Sequence, residues 1–318
     1  MTETSRPQFF SFIPRGNDDF ERRASVWGDI SFGPELEGAA LAEAQRKAVV
    51  AFGGGHLHLP ADALDRMPNL KLIVSRGVGY DGYDLEALKK RGIRLTNTPG
   101  VLSEDAADYA LTLLFSLVRR VPLGDRYVRE RRWTRREPLP LGVRFFGKKL
   151  GIAGLGRIGR ICAERAAGIG LQVAYFDRSQ KPGAPWPWFE TLEALARWAD
   201  FLVLVLPGGN ATRHAADAKV LEALGPRGWL VNIARGSVVD QEALIEALRS
   251  NRIAGAALDV FENEPDPDPR LLSLQNAVLS PHQAVHTEET ILAINDLALE
   301  NLERWMRGEP LKTPVPGL

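Results

Sequence analysis

The hydrophobic positions of the chain alternate between short apolar runs and longer amphipathic stretches. In the first hundred residues, four apolar runs predict β-strands, and the stretches between them predict helices, such as Pro60–Met67 and Leu85–Arg91. The predicted strands are Phe9–Ile13, Ala48–Phe52, Leu70–Ser75 and Arg94–Thr96. Strands that alternate with helices indicate a parallel sheet with helices on its faces.

A second alternation of the same kind begins at Lys149. It predicts six strands with helices between them, the number found in a complete dinucleotide-binding unit. Apolar residues at helical spacing predict further helices over Ser103–Arg120 and Glu288–Met306. The predicted strands are Leu150–Ala153, Gln172–Phe176, Phe201–Leu206, Trp229–Ile233, Ala256–Val260 and Ala277–Leu279.

This order predicts two α/β domains, one inserted into the other. The 318 residues exceed the size at which a single core usually keeps growing. We expect a dinucleotide-binding Rossmann-type domain, with a doubly wound parallel sheet, over residues 100–287. A smaller, flavodoxin-like α/β substrate-binding domain is expected to combine residues 1–99 with residues 288–318.

Composition and charge narrow the class of protein. The 40 acidic and 40 basic side chains cancel, which removes the long-range field on which binding to nucleic acid or anionic membranes usually depends. The single Cys162 cannot form an intramolecular disulfide, and no apolar segment approaches the ~20 residues of a membrane helix. We therefore expect a cytoplasmic protein with a small-molecule ligand and no nucleic-acid or membrane partner.

A glycine-rich turn follows the first strand of the second alternation. Gly154, Gly156 and Gly159 fit the pattern Gly-x-Gly-x-x-Gly. The first two permit a tight turn and close approach of a phosphate, and the third lets the next helix meet the strand. The helix predicted over Arg157–Gly168 would present its unpaired N–H groups to a pyrophosphate. Because such turns also occur without a ligand, the surrounding residues must decide.

An acidic residue lies at the offset expected for a dinucleotide site. Asp177 ends the next strand, 18 residues after Gly159 (177 − 159), where a carboxylate accepts hydrogen bonds from both ribose hydroxyls. The carboxylate would repel the 2′-phosphate of NADP(H), so NAD(H) is favoured. Arg178, Ser179 and Lys181 beside it keep NADP(H) possible.

Polar side chains follow several of the remaining strands. Since the carboxyl ends of parallel strands meet at one edge, we expect Arg235 in NIARG, Asp259 in LDVFENEP and His282 in SPHQ on the same rim. Glu264 lies in the loop that leaves the strand of Asp259. Taken singly, Glu264 fits a solvated loop, Arg235 a salt bridge and His282 a surface histidine. Only their joint placement indicates chemistry.

These residue types suit the reduction of a carbonyl group. Hydride passes from a nicotinamide to the ketone carbon while a proton must reach the oxygen, and His282 is the candidate acid. Glu264 beside the ring would stabilise the imidazolium. Arg235 would bind the carboxylate of a 2-keto acid through two hydrogen bonds and polarise its carbonyl.

Several motifs together resemble the D-isomer-specific 2-hydroxyacid dehydrogenases over nearly the whole chain. That family includes glyoxylate/hydroxypyruvate reductases and the D-lactate, phosphoglycerate and formate dehydrogenases. The motifs, in family order, are GVGYDGYD (77–84), NTPGVLSEDAADYAL (97–111), the glycine turn, VNIARGSVVDQEALIEAL (231–248), LDVFENEP (258–265) and SPH (280–282). ALGPRGWLVNIARG and GEPLKTPV look closest to the glyoxylate/hydroxypyruvate and hydroxyphenylpyruvate reductase branch.

The resemblance implies roles for individual residues. It implies a catalytic set of Arg235, Glu264 and His282, with backbone N–H groups of Val78 and Gly79 on the substrate carboxylate. It also implies that Asp259 lies beside the nicotinamide carboxamide, and that the protein is a homodimer. The cofactor-binding set expected from the motifs and the resemblance is Gly154, Gly156, Arg157, Ile158, Gly159, Asp177, Arg178, Leu206, Pro207, Thr212, Ile233, Ala234, Asp259 and His282.

We therefore expect NAD(P)H-dependent reduction of a small 2-keto acid, such as glyoxylate or hydroxypyruvate, to the D-2-hydroxy acid. Two alternatives use the same fold. One is an NADH-sensing, corepressor-like binding protein, and the other is a dehydrogenase of the formate or phosphite type.

The sequence departs from the family pattern at three places. The reductase branch often favours NADP(H) and has a small neutral residue where Asp177 stands, so the resemblance and the local charge favour different dinucleotides. In HQAVHTEET, Val285 and His286 stand where small residues are usual, which would reshape the nicotinamide side of the pocket. VLPGGNAT (205–212) replaces a more usual Pro-Leu-Thr sequence, which weakens the assignment of Thr212 to the cofactor.

Two other stretches carry simpler interpretations. His56 and His58 in GGGHLHLP supply two of the three or four ligands that zinc usually needs, so no metal site is expected. The basic stretch RERRWTRREPLPLG (129–142) is expected to be a solvated connector. Its alternative is a dimer interface reached by Arg131, Arg132 and Trp133.

Overall fold

The structure, a computed structural model, describes residues 6–16 and 19–318. It divides into two units, of which the first combines residues up to Leu102 with Thr287–Leu318 and the second is Ser103–His286. The two divisions lie three residues (102 − 99) and one residue (287 − 286) from the boundaries expected from the sequence.

Strands and helices alternate along most of the chain. The strands are β1 (Gln8–Ser11), β2 (Asp29–Phe32), β3 (Val50–Gly54), β4 (Leu72–Arg76), β5 (Arg94–Thr96), β6 (Lys149–Ala153), β7 (Gln172–Phe176), β8 (Trp188–Phe189), β9 (Phe201–Leu204), β10 (Trp229–Asn232), β11 (Gly255–Leu258) and β12 (Ala277–Leu279). The helices are α1 (Asp19–Ala24), α2 (Gly38–Lys47), α3 (Ala61–Asp65), α4 (Leu85–Arg91), α5 (Ser103–Val118), α6 (Val121–Arg129), α7 (Arg157–Gly168), α8 (Leu192–Trp198), α9 (Ala218–Leu224), α10 (Gln241–Arg249), α11 (Pro269–Leu272) and α12 (Glu288–Met306). Within the described part of the chain, no helix is both long and apolar enough to cross a bilayer.

The sheet of the first unit is parallel, with the strand order β2-β1-β3-β4-β5. This is the flavodoxin-like doubly wound order. Successive strand residues face opposite sides, so Phe9 and Leu72 pack on one face while Phe10 and Ile73 pack on the other. Helix α12 covers the first of these faces with side chains such as Leu299.

The sheet of the second unit is also parallel, with the order β12-β11-β10-β9-β6-β7-β8. The chain runs outward from β6 to β7 and β8 and then returns to β9 on the other side of β6. The topological switch point of this Rossmann-type sheet therefore lies between β6 and β9. Helices α5 and α7 cover one face through Leu114 and Ala166, and α8, α9 and α10 cover the other through Leu195, Leu221 and Leu248.

The predicted fold class is confirmed, and the differences concern short elements. The sequence pattern missed β2 and β8, which are edge strands of four and two residues. It also missed α6, because Pro122 and Gly124 within it lower the expected helix propensity. Helix α5 ends at Val118 rather than Arg120, whose backbone is left-handed with φ of 56°.

Candidate active site

Most of the predicted site residues gather at one edge of the second unit's sheet. Because all strand pairs in this sheet are parallel, the carboxyl ends of its strands lie at the same edge. Ligands of doubly wound folds bind at this edge. The loops there carry the glycine turn after β6, Asp177 after β7, Leu206 after β9, Arg235 after β10, Asp259 after β11 and His282 after β12.

The glycine turn has room for a phosphate where the sequence predicts one. Gly154 has φ of 101°, a region that favours glycine. A Cβ on Gly159 would lie 1.9 Å from the carbonyl oxygen of Gly154, so glycine is needed for α7 to approach β6. Nothing lies within 4 Å of a Cβ built on Gly156, the N-cap of α7, and Arg157 and Ile158 are the first helical residues. Open backbone at a helix N-terminus fits the pyrophosphate of a dinucleotide.

Asp177 is held against this turn from the neighbouring strand. Its Oδ2 accepts a hydrogen bond from the backbone N of Leu155 at 3.0 Å, and its Oδ1 accepts one from the backbone N of Arg178 at 2.8 Å. Lys181 Nζ lies 3.0 Å from Oδ1. The carboxylate is therefore fixed beside the glycine turn, and the lysine offsets part of its charge.

Arg235 lies in a loop that two neighbours shape. Asn232 Nδ2 donates to the carbonyl oxygen of Arg235 at 2.9 Å, and Asn232 Oδ1 accepts from the backbone N of Ala234 at 3.0 Å. The guanidinium donates from Nη1 to the carbonyl oxygen of Ala234 at 2.8 Å. A Cβ on Gly236 would lie 1.9 Å from the carbonyl carbon of Phe261. Glycine at this position therefore lets the loop of Arg235 touch the loop that follows β11.

His282 and Glu264 form the pair that the sequence predicts. Nδ1 of His282 lies 2.7 Å from Oε2 of Glu264, and Oε1 accepts from the backbone N of Phe261 at 2.9 Å. Both carboxylate oxygens are thus used. The two side chains are 31% and 27% exposed, so the pair is only partly shielded from water. With Nδ1 bonded to the carboxylate, any proton delivered to a substrate comes from Nε2.

Asp259 shapes the backbone that carries His282. The residue is 1% exposed. Its Oδ1 accepts from Ser280 Oγ at 2.5 Å and from the backbone N of Gln283 at 2.9 Å, and its Oδ2 accepts from the backbone N of Ala284 at 3.0 Å. Its own carbonyl oxygen accepts from the backbone N of His282 at 2.8 Å. These contacts were not anticipated, and the role of Asp259 beside the carboxamide stays a prediction.

The other predicted cofactor residues lie on loops of the same edge. The backbone N of Leu206 is 3.3 Å from a Cβ built on Gly154, so the loop after β9 adjoins the glycine turn. Thr212 Oγ1 donates to the carbonyl oxygen of Pro207 at 2.6 Å, which stabilises this loop. Residues 233 and 234 directly follow β10.

Val78 and Gly79 lie in the first unit, in the loop after β4. Asn97 Nδ2 donates to the carbonyl oxygen of Val78 at 2.8 Å. The carbonyl oxygen of Asn97 in turn accepts from the hydroxyl of Thr313 at 2.6 Å. Polar contacts from two other segments therefore hold this loop in place.

The basic stretch 129–142 and the loop of His56 lie outside the loops that carry the site residues. In the basic stretch 129–142, Arg132 and Arg135 each pair with Glu137 at 2.6 Å, while Trp133 is 71% exposed. Across residues 6–16 and 19–318, no three His, Cys, Asp or Glu side chains are grouped closely enough to hold a metal ion, and this includes the loop of His56.

Sequence reasoning missed several residues that build the site. Asn232 and Gly236 flank Arg235 in the motif NIARG, so a local signal for them was available. Tyr109 and Gln283 lie inside the motifs NTPGVLSEDAADYAL and SPHQ, but no local pattern predicts their contact, which joins residues far apart in the chain: Gln283 Nε2 donates to Tyr109 Oη at 2.6 Å.

A phosphate-binding turn that shares its sheet edge with an acid–base pair is typical of oxidoreductases that use a dinucleotide. Residues 111–284 match the model of the D-isomer specific 2-hydroxyacid dehydrogenase, NAD binding domain. The chain is 41% identical over 299 residues to a glyoxylate/hydroxypyruvate reductase of Arabidopsis thaliana, covering 94% of each protein. It is 41% identical to the hydroxyphenylpyruvate reductase of Plectranthus scutellarioides, covering 87% of each.

A solved structure shows the same relationship. The NADPH-dependent glyoxylate/hydroxypyruvate reductase from Sinorhizobium meliloti, crystallised with NADP and malonate, is 37% identical and matches with a TM-score of 0.90. The match covers 98% of this chain and 97% of that one. The chain belongs to the D-isomer-specific 2-hydroxyacid dehydrogenase family and is an oxidoreductase, which confirms the predicted family.

Proposed function

We propose that this protein uses NAD(P)H to reduce a small 2-keto acid, such as glyoxylate or hydroxypyruvate, to the D-2-hydroxy acid. One observation carries the proposal. Nδ1 of His282 lies 2.7 Å from Oε2 of Glu264, on the sheet edge that also bears the glycine turn and Arg235. The reductase names of the similar proteins support the substrate class and the direction.

The residues divide the work of carbonyl reduction. The dinucleotide, when bound, supplies the hydride. His282 delivers a proton from Nε2 to the carbonyl oxygen, and Glu264 stabilises the protonated ring beforehand. The Arg235 guanidinium and the backbone N–H groups of Val78 and Gly79 bind the substrate carboxylate. Acid–base help of this kind is typically worth ~10²–10⁴-fold in rate.

Turnover of keto acids tests the proposal directly. Glyoxylate, hydroxypyruvate and an aryl pyruvate are each supplied with NADH and with NADPH, and the nicotinamide absorbance is followed. His282→Asn should abolish turnover while a fluorescence titration shows unchanged dinucleotide affinity. A wild-type protein that binds dinucleotide and reduces none of these acids would contradict the proposal.

The alternatives expected from the fold are not favoured. A corepressor has no need of the Glu264–His282 pair, which is intact here. A dehydrogenase of the formate or phosphite type does not match the reductase names of the relatives.

NAD(H) is the proposed preferred dinucleotide, with NADP(H) accepted less well. The Asp177 carboxylate repels a 2′-phosphate, but Lys181 at 3.0 Å reduces this repulsion. Asp177→Ser should therefore shift kcat/KM towards NADPH, and Lys181→Ala should shift it towards NADH. If neither variant changes the ratio, the carboxylate does not select the dinucleotide.

A homodimer is proposed through the segment that follows α6. Large apolar side chains remain exposed in or near this segment: Trp133 at 71%, Leu141 at 89% and Phe146 at 74%. When a second copy covers these side chains, the free energy of association becomes more favourable by roughly 25 cal/mol per Å² of apolar surface removed from water. Light scattering should give twice the chain mass for the wild type and for Leu272→Asp, an exposed leucine elsewhere, but a monomer for Leu141→Asp combined with Phe146→Asp. The cytoplasmic location stays a prediction.

A further inference from the structure

A closed ring of hydrogen bonds surrounds the backbone at His282. Ser280 Oγ lies 2.5 Å from Asp259 Oδ1 and 2.7 Å from Tyr109 Oη. Gln283 completes the ring, because its Nε2 lies 2.6 Å from Tyr109 Oη and its backbone N lies 2.9 Å from Asp259 Oδ1. His282 sits in the chain between two members of the ring, Ser280 and Gln283.

The three side-chain bonds of this ring run in one direction, from Gln283 through Tyr109 and Ser280 to Asp259, while the backbone N of Gln283 donates to the same Asp259 oxygen from the other side. The carboxylate of Asp259 accepts, so the only proton of the Ser280 hydroxyl is given to it. The Tyr109 hydroxyl must then donate to Ser280, and its oxygen accepts from the Gln283 amide. Hydrogen bonds arranged head to tail strengthen one another, and a charged acceptor at the end strengthens the last bond.

The ring restrains a backbone conformation that is otherwise unfavourable. His282 has φ of 49°, a left-handed value that is costly for a residue with a Cβ. The bond from its own backbone N to the carbonyl oxygen of Asp259 and the ring contacts on either side hold it there. The imidazole meets Glu264 from this backbone, so a looser loop would separate Nδ1 from Oε2.

We propose that Tyr109 and Gln283 are positioning residues of the reductase. Their hydrogen bond ties the histidine loop to α5 and keeps His282 aligned on Glu264. The inference rests on the proposed function, since it concerns the alignment of His282, the acid of the proposed reaction.

Kinetics of three variants test this role. Tyr109→Phe removes the hydroxyl, Gln283→Leu removes the amide, and Gln283→Glu keeps the shape but replaces the donor by an acceptor. The two Gln283 variants should lower kcat about tenfold, the effect of one lost hydrogen bond. Tyr109→Phe should lower it at least as much, because the Tyr109 hydroxyl also bonds to Ser280, and KM for the dinucleotide should be unchanged in all three. Because Tyr109→Phe already removes the bond to Gln283, the double variant Tyr109→Phe/Gln283→Leu should be no slower than Tyr109→Phe alone.

Matched controls separate positioning from general damage. The Tyr127 hydroxyl donates to the backbone carbonyl of Glu137, and Gln172 Nε2 donates to the carbonyl oxygen of Gly147, so both side chains make comparable bonds outside the ring. Tyr127→Phe and Gln172→Leu should retain wild-type kcat. If Gln283 contributes only packing and no hydrogen bond, Gln283→Glu and Tyr109→Phe should keep the wild-type kcat, as the two controls do. That result would overturn the inference.

A measurement that needs no turnover keeps this inference separate from the proposed function. Amide hydrogen exchange of the Gln283 and Ala284 N–H groups should be faster in Tyr109→Phe and Gln283→Leu than in the wild type. Faster exchange would support the ring even if the wild type reduced no keto acid, which would defeat only the proposed function. Unchanged exchange in both variants, or losses of kcat that multiply in the double variant, would defeat the positioning role.

Discussion

Replacing Glu264 by glutamine removes a charge and leaves one oxygen where the structure uses two. Oε2 bonds to His282 Nδ1, and Oε1 accepts from the backbone N of Phe261. If the amide oxygen keeps the Phe261 N–H, the amide NH2 faces Nδ1 and requires that nitrogen to be unprotonated. If the amide turns over, its NH2 faces the Phe261 N–H instead. The glutamine side chain therefore cannot accept hydrogen bonds from both the protonated Nδ1 of His282 and the backbone N–H of Phe261.

The expected size of the effect follows from this geometry. A hydrogen bond to a charged group contributes roughly 1.5–3 kcal/mol, which corresponds to a roughly 10–150-fold change in rate. The side chains are 31% and 27% exposed, so water screens part of the interaction. We therefore expect kcat of Glu264→Gln to fall towards the lower end of this range, by about tenfold.

Steady-state kinetics with a keto acid and a dinucleotide titration measure this prediction. Glu262→Gln is the matched control, since Glu262 lies two residues earlier in the same loop and contacts a different histidine, His214, at 3.1 Å. The control should keep wild-type kcat, and both variants should bind dinucleotide normally. A wild-type kcat for Glu264→Gln, or an equal loss in the control, would refute the reasoning.

Three other predictions concern stability and reactivity. Gly159→Ala places a Cβ 1.9 Å from the carbonyl oxygen of Gly154 and should lower Tm by several degrees and abolish dinucleotide binding. In the same helix, Gly168→Ala meets open space and should stabilise the fold by ~0.5–1 kcal/mol, so equal Tm values would contradict the packing argument. Burial raises the pKa of Cys162 from 9.0 to about 12, so the folded protein should resist alkylation in mildly alkaline buffer until it is unfolded. Since this folded pKa lies above the ordinary value, the thiol's contribution to stability is complete below pH 9.0 and is lost as pH rises towards 12, which denaturant titrations across that range would measure.

The sequence predicted the long elements well because their apolar pattern is strong. Helices α7 and α12 have the predicted bounds, Arg157–Gly168 and Glu288–Met306. Strand β8 was not predicted, because it is a two-residue edge strand that follows Pro187 and is too short to show an alternation of apolar and polar positions. Periodicity identifies elements that bury a whole face and misses those that only extend an edge.

The candidate site was predictable to the extent that topology fixes it. Since parallel strands end together, residues that follow β10, β11 and β12 were expected on one rim without any knowledge of their side chains. The pairing of His282 with Glu264 was predicted from residue types on this rim, whereas the hydrogen bonds that join the rim to α5 were not. The bond between Tyr109 and Gln283 spans 174 positions, and neither residue type is unusual in its own segment. The left-handed backbone at His282 has no local signature either, because the bonds that hold it come from Asp259.

The split first unit has a consequence for biosynthesis. Its sheet is packed against α12 through Ala298, Leu299 and Leu302, and Val315, 1% exposed, belongs to its other core cluster. All of these residues are translated after the whole of the second unit. On the ribosome, Ser103–His286 can fold as one continuous stretch. Strands β1–β5 are made first, and one face of their sheet stays exposed until α12 has been translated. Nascent chains of this protein should therefore depend on chaperones for the earliest part of the sequence and not for the middle.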